Sequence, residues 1–317
     1  MKKVRAIDLF CGAGGSSWGA HTAGVEVIAG FDLWPIAKSV YSDNFPDAKF
    51  YCENLEDLDP SDIKKELGDI DLILASPECT NHSVAKGNKP RCEKSRSTAL
   101  QVIRFVKVFE PRWIIVENVV EMKLWARYDK FINDIEKIGY HTRTQTLNSA
   151  NFGVPQARRR LFIMFDREMI PNSVSKPRRK TKTAREIIDR NGTYRYSMLK
   201  TEKRAKATLE RADRAIANMG KKSPFLIVYY GTDHAGGWQR LDVPLRTITT
   251  RDRFAFVKPT NIGHVMRMLQ PPELKKAMGW PKKYKINYGT RRDKIKMIGN
   301  AVCPPVIKSI VRALIQN

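Results

Sequence analysis

Short apolar runs separated by longer amphipathic stretches fill the first half of the chain. VRAIDLF, VEVIAGFD, IDLILAS, RWIIVENV and RRRLFIMF are rich in β-branched and aromatic residues, the composition of strands. Between them lie segments such as Pro35 to Asn44 and Ser97 to Phe109, which predict helices. That alternation implies βαβ units and an α/β fold on a mostly parallel, helix-covered sheet. The pattern stops near Asp166. Further on, Thr201 to Asn218 is again helical, with Ala205, Leu209, Ala212 and Ile216 on one side and Arg204, Lys206, Arg211 and Arg214 largely around the other. FLIVYY, the glycine-rich GTDHAGGWQR and PLRTITTRDRFAFV then suggest strands joined by loops with polar and aromatic tips. The tail MIGNAVCPPVIKSIVRALI ends in an amphipathic helix after Pro304 and Pro305.

Charge adds a partner to this outline. The 317 residues hold 57 Lys and Arg against 33 Asp and Glu, a formal charge of +24. A field of that size calls for a polyanion or a membrane surface, and nucleic acid is the better match. Nearly half of the excess, 16 basic against 5 acidic residues, lies between Lys176 and Lys222, so this segment has a different job from the first half. At 42% hydrophobic and 28% charged, the composition permits a globular enzyme. No apolar run of about 18 residues is expected to span a membrane. The start, MKKVRAIDLFCGAGG, puts Asp8 and glycines where a signal peptide would be apolar, so a cytoplasmic protein is expected. Five cysteines, Cys11, Cys52, Cys79, Cys92 and Cys303, form no CxxC pair, which argues against a disulfide framework and a zinc knuckle. No metal is expected.

Three stretches carry candidate chemistry. The first strand runs into DLFCGAGGSSWG, a glycine-rich turn before a helix, and Asp32 ends the next strand. In a doubly wound fold this is where a nucleotide-like cofactor lies, the carboxylate taking ribose hydroxyls. Ser17 stands where a dinucleotide fingerprint would have its third glycine, so an adenosine without a pyrophosphate fits better. The alternative is a tight turn with no ligand. SPECTNHS follows an apolar strand directly, at the carboxyl edge of the sheet, and leaves Cys79 open to two readings. It is either a small buried thiol or a nucleophile whose pKa is lowered by Lys86, Lys89 and Arg91. The next strand ends in ENVVE, placing Glu117 and Asn118 at the same edge. In VPQARRRLF, strand alternation puts Arg158 and Arg160 on one face, suited to a carbonyl oxygen or a phosphate.

Taken in order from Ile7 to about Ile315, these segments resemble the DNA cytosine-C5 methyltransferase family. DLFCGAGG is similar to its cofactor motif, SPECTNHS to its catalytic-cysteine motif, ENV to its acidic motif and QARRR to its Gln-x-Arg-x-Arg motif. RMLQPPELKKAMGWP and GNAVCPPV are similar to its closing segments. The resemblance implies a Rossmann-like catalytic and cofactor-binding domain over residues 1–166 and a smaller basic target-recognition domain over 167–262. Residues 263–317 would form a return segment whose C-terminal helix completes the first domain. It implies S-adenosylmethionine as methyl donor, leaving S-adenosylhomocysteine. The substrate it implies is a specific double-stranded DNA sequence, read by a bacterial or phage-encoded protein that acts as a monomer.

By the same resemblance Cys79 adds to C6 of an extruded cytosine, Glu117 bonds N3 and the exocyclic amine, and Arg160, with Arg158 beside it, holds O2 and the neighbouring loop. The cofactor would lie among Phe10, Ala13, Gly14, Gly15, Asp32, Leu33, Asn54, Leu55, Asn300 and Val302. DNA would meet Ser83, Lys86, Thr249, Thr250 and Arg251. The chain departs from the family's Pro-Cys-Gln at Glu78-Cys79-Thr80, and Glu78 is expected to point away from the sulfur. His82 and Leu33 replace common aromatics, and Pro272 stands where Arg is usual. Two rival readings stand beside the enzyme: a catalytically weak DNA-binding relative, and an RNA cytosine methyltransferase on the same scaffold.

Overall fold

In the computed structural model, residues 3–78, 98–178, 180–230 and 235–315 are described. Seven strands form the larger sheet: β1 (Arg5–Leu9), β2 (Glu26–Phe31), β3 (Lys49–Tyr51), β4 (Leu72–Ala75), β5 (Trp113–Asn118), β6 (His141–Asn148) and β7 (Arg159–Asp166). Their order is β3-β2-β1-β4-β5-β7-β6, parallel from β1 through β5, with β7 antiparallel to both its neighbours. Every residue of β4 and β5 is buried, which a sheet achieves only when both its faces are covered.

The two-residue period sorts side chains into two cores. Ala6, Leu72, Leu74 and Ile115 enter one, with α1 (Gly15–His21), α2 (Pro35–Asn44) and the C-terminal helix. Ile7, Ile73, Ile114 and Val116 enter the other, with α3 (Pro60–Leu67), α4 (Ala99–Phe109) and α5 (Tyr128–Glu136).

A second, antiparallel sheet holds β8 (Ser197–Met198), β9 (Phe225–Val228), β10 (Trp238–Gln239), β11 (Phe254–Thr260) and β12 (Gly263–Met268), in the order β10-β9-β11-β12-β8. It is covered by α6 (Lys206–Met219), which starts later than periodicity alone predicts. Its buried face is Thr208, Ala212 and Ala215, with Leu209 and Ile216 at the margin, so the helix is turned by about one position from the expected stripe. Ala212 and Ala215 let it sit close on Phe225, Ile227 and Val257. The expected boundary at 262/263 falls in the turn of the β11–β12 hairpin. Thr260 pairs with Gly263, which keeps β12 in the small sheet, and the return to the large sheet follows it.

That return is α7 (Pro271–Ala277), α8 (Arg291–Asn300) and α9 (Pro304–Ile315). Gly19 of α1 has no room for a side chain, since a Cβ there would lie 2.6 Å from Ile307 Cβ. Arg291–Ile315 is the one stretch among the described residues long and apolar enough to cross a bilayer, a run the sequence reading passes over. It breaks at residues 301–303, and 61% of its most apolar window is buried in the molecule, because α9 lays Val306, Ile307, Ile310, Val311 and Leu314 onto the core.

Candidate active site

The strand order sets the candidate residues along one sheet edge. Leu9 pairs with Phe31 and Ala75, and Ala75 with Val116, so Phe10, Asp32, Ser76 and Glu117 all follow at the carboxyl ends. Ser76 N donates to Leu9 O at 3.1 Å, and Asn118 Nδ2 donates to Pro77 O at 3.2 Å, holding the chain against β1 and β5 just before the cysteine motif. Cys79, Ser83 and Lys86 lie outside the described residues. Glu78, just before them, is exposed.

The glycine turn is built on left-handed backbone. Phe10, Gly12 and Gly14 have φ of 60°, 50° and 72°, a conformation strained for Phe10 by about 1–3 kcal/mol. The turn is fixed to Asp32, whose Oδ2 accepts from Gly12 N and whose Oδ1 accepts from Trp34 N, both at 2.9 Å. A carboxylate offers roughly four acceptor positions, so Asp32 keeps capacity for hydroxyl groups. Leu33 beside it is 66% exposed, Phe10 and Asn54 are half-buried, and Leu55 is buried. An apolar lip and a fixed carboxylate at a glycine turn fit a nucleoside. Gly15 permits the close approach of the return segment, since a Cβ there would stand 2.3 Å from the Val302 carbonyl oxygen. Asn300, at the end of α8, is exposed and Val302 is buried. Tyr284 OH donates to the Ala13 carbonyl from the same segment.

Three residues here escape the sequence reading. Arg104 of α4 donates to the carbonyls of Leu55 at 3.1 Å and Leu58 at 2.9 Å, tethering the loop that carries Asn54. Its signal was only a charge within an apolar helix. Tyr284 had no sequence signal. Asp8, an acid inside an apolar strand, is fully buried behind the turn and accepts from Ser17 N and Ser17 Oγ at 3.0 and 2.6 Å. Burial pushes its carboxyl up to about 7, against those two bonds. A folded pKa above the unfolded one means that the folded state binds the extra proton between about pH 4 and 7. Stability from this group is therefore greatest in acid and falls by about 1.4 kcal/mol per pH unit across that window. Asp8→Asn should remove this slope in denaturation midpoints measured from pH 4 to 8; a slope equal to that of the parent would contradict it.

Glu117 is buried, and Arg160 Nε lies 3.2 Å from its Oε1, an ion pair too poorly angled to count as a hydrogen bond. Burial raises this carboxyl above the usual glutamate range, opposed by Arg160 and Arg158. Arg158 and Arg160 share a face of the strand but serve different neighbours. Arg158 is buried and donates to the carbonyls of Ile248 at 2.9 Å and Gly299 at 2.8 Å. Gln156 works alongside it, accepting from Ile248 N at 2.9 Å and donating to Ala277 O at 3.3 Å. This strap holds the small domain and the return helices together, and it places the loop of Thr249, Thr250 and Arg251. Thr249 is half-buried, while Thr250 and Arg251 are exposed.

Among the described thiols, Cys11 and Cys303 are poor nucleophiles. Burial pushes Cys11 well above the usual thiol range and Cys303 up to about 11. Cys52 is half-buried, its Sγ 3.9 Å from Leu33 O. Among the described residues no three of His, Cys, Asp or Glu gather as a metal site.

The family model for C-5 cytosine-specific DNA methylase matches residues 4–316, and the chain belongs to that family. Among its relatives, the Type II methyltransferase M.DdeI of Desulfomicrobium norvegicum is 36% identical over 169 residues, 51% of this chain and 40% of that protein. M.HaeII of Haemophilus aegyptius is 24% identical over 320 residues, 100% of this chain and 94% of that protein. M.DdeI and M.AgeI of Thalassovita gelatinovora are matched over only 40% and 39% of their length. Of solved structures, the Entamoeba histolytica methyltransferase EhMeth superposes with a TM-score of 0.72 at 19% identity, over 100% of this chain and 99% of that one. An E. coli prophage-encoded putative DNA modification methyltransferase gives 0.71 at 19%, over 99% and 100%. The fold is therefore that of a Rossmann-like methyltransferase domain with a smaller second domain.

Proposed function

We propose that this protein transfers a methyl group to C5 of cytosine in a specific duplex DNA sequence. The observation that carries this reading is Glu117: a buried carboxyl, raised toward its protonated form and paired with Arg160, at the edge where β4 leads into the Cys79 motif. Cytosine C5 is a weak nucleophile. A bond from the Cys79 sulfur to C6 would make C5 enamine-like, and a proton given by Glu117 at N3 would neutralise the charge arriving on the ring. After methylation, loss of the C5 proton to solvent, return of the N3 proton to Glu117 and rupture of the C6–S bond would release the product and restore the thiolate and the acid.

Phe10, Asp32, Leu33, Asn54 and Leu55, with the return segment at Asn300 and Val302, would hold S-adenosylmethionine, which when bound would supply an electrophilic methyl group on sulfur. Arg160 would hold the base carbonyl, and Arg158 acts from behind, as the positioning residue of the strap. Reaching C6 requires turning the base out of the stack, at a cost of a few kcal/mol that phosphate contacts by Thr249, Thr250, Arg251 and other basic side chains would offset.

DNA copied with 5-fluorodeoxycytidine tests this, because a fluorine at C5 cannot leave as a proton does. The expected result is a denaturant-stable adduct, formed only with S-adenosylmethionine present and mapping to Cys79 by peptide analysis. Absence of the adduct on DNA of mixed sequence would defeat the proposal, and an adduct on fluorinated tRNA alone would move it to RNA.

A further inference from the structure

Where α8 meets the recognition loop there is a recess of about 800 Å³ whose charges are unbalanced. Its lining carries four cations, Arg251, Arg291, Arg292 and Lys296, against one carboxylate, Asp252. That carboxylate is already taken. Arg291 pairs with it, and also donates to Leu269 O at 2.8 Å and Gln270 Oε1 at 3.3 Å, so Arg291 is a fastener between the helix and the small domain. Asp293, the acid in the same helix turn, accepts from Thr290 N and Oγ1 to cap the helix, and its charge is also felt by Lys296 and Arg292 without a direct ion pair to either.

Arg251 and Arg292 have no ion pair among the described residues, and both are exposed. Lys296 lies one turn along the same helix face from Arg292, 4.8 Å from the Trp34 ring. The frame behind these cations is closely packed. At the far end of α8, a Cβ on Gly299 would stand 2.3 Å from the Thr249 carbonyl oxygen, and Arg158 bonds both Gly299 O and Ile248 O.

We infer that Arg292 and Lys296, from the return helix, join Arg251 as a clamp on phosphodiester groups of duplex DNA beside the target base. The inference rests on the methyltransferase reading and deepens it, by giving the return helix a DNA-binding face that the family's motifs do not assign. Three cations outside any ion pair among the described residues, lining one recess, suit the spaced negative charges of a nucleic-acid backbone. The contact carries no base information, so it should act alike on every sequence.

Neutralising one phosphate-binding cation should lower the slope of log affinity against log salt by about 0.9. Fluorescence anisotropy on a random-sequence duplex, from about 50 to 200 mM KCl, reads that slope. Relative to the parent, Arg292→Gln is expected to lower it by about 1 and Arg292→Gln/Lys296→Gln by about 2, while Lys137→Gln, exposed at the end of α5, which packs in the other core from α8, leaves it within about 0.3. Slopes unchanged in the double variant, with the parent still binding duplex and still forming its fluorocytosine adduct, would overturn the clamp alone. A parent that binds no duplex and forms no adduct would remove the methyltransferase reading with it.

Discussion

Glu117→Gln is expected to lower the single-turnover rate of methyl transfer by about 10²–10⁴ while leaving cofactor affinity within about twofold. The carboxyl is buried, no hydrogen bond among the described residues reaches its Oε1, and Arg160 stands 3.2 Å away. Burial raises its pKa, so it holds a proton at pH values where an exposed glutamate has lost it. That suits an acid needed only when charge builds on the base ring. Glutamine preserves the shape and one donor, yet it transfers no proton, and it leaves the Arg160 guanidinium facing a neutral amide. The sign of the pH effect follows. If the protonated form is the working one, the parent rate falls as pH rises through the raised pKa, and the variant loses that limb. Rates at saturating DNA and cofactor across pH 5 to 9 decide it. A variant whose defect lies entirely in KM, or whose pH profile matches the parent, would assign Glu117 to binding.

How far the site could be read from sequence depends on how local each cause was. β1, β2, β4, β5 and β7 announce themselves because buried parallel strands and their covered neighbour must be apolar along their length. β6, HTRTQTLN, does not: it lies at the sheet's edge, most of its side chains are only partly buried, and its residues are mainly polar. β3 has three residues, too few for a period. The common edge of Asp32, Glu117 and Asn118 was legible because each is a polar residue at the carboxyl end of an apolar parallel strand. Arg158 was legible as a residue of interest but not in its task. Alternation gives a side chain its face, whereas the carbonyls that Arg158 meets lie 90 and 141 residues further along the chain. Tyr284 under the glycine turn is of the same kind, its partner 271 residues away. The hairpin boundary was missed for a simpler reason. The family motifs that implied it are local signatures, while the hydrogen bonds of the small sheet continue to Met268.

The same junction provides the second large effect. Arg267 of β12 and Glu273 of α7 are each 3% exposed and joined by two hydrogen bonds of 2.7 Å. Glu273 also accepts from Gln270 N and Asp189 N, both at 2.8 Å, so one carboxylate ties the small sheet, the loop before β8 and the first turn of α7. Tyr194, Tyr196 and Phe256 surround the guanidinium at 5.0, 5.3 and 5.7 Å, closing it from water. Forming such a pair gives little net stability, because both charges lose their hydration. Breaking it is costly, because one charge stays buried alone. Glu273→Ala should therefore destabilise the protein by about 3–5 kcal/mol, read as a lower urea midpoint at unchanged slope. Replacing both partners, as Arg267→Met/Glu273→Leu, should recover more than half of that loss, since no buried charge remains. If the double variant is as unstable as Glu273→Ala, the cost lies in the backbone amides of Gln270 and Asp189 that lose their acceptor, and the guanidinium is not what the carboxylate is there to hold.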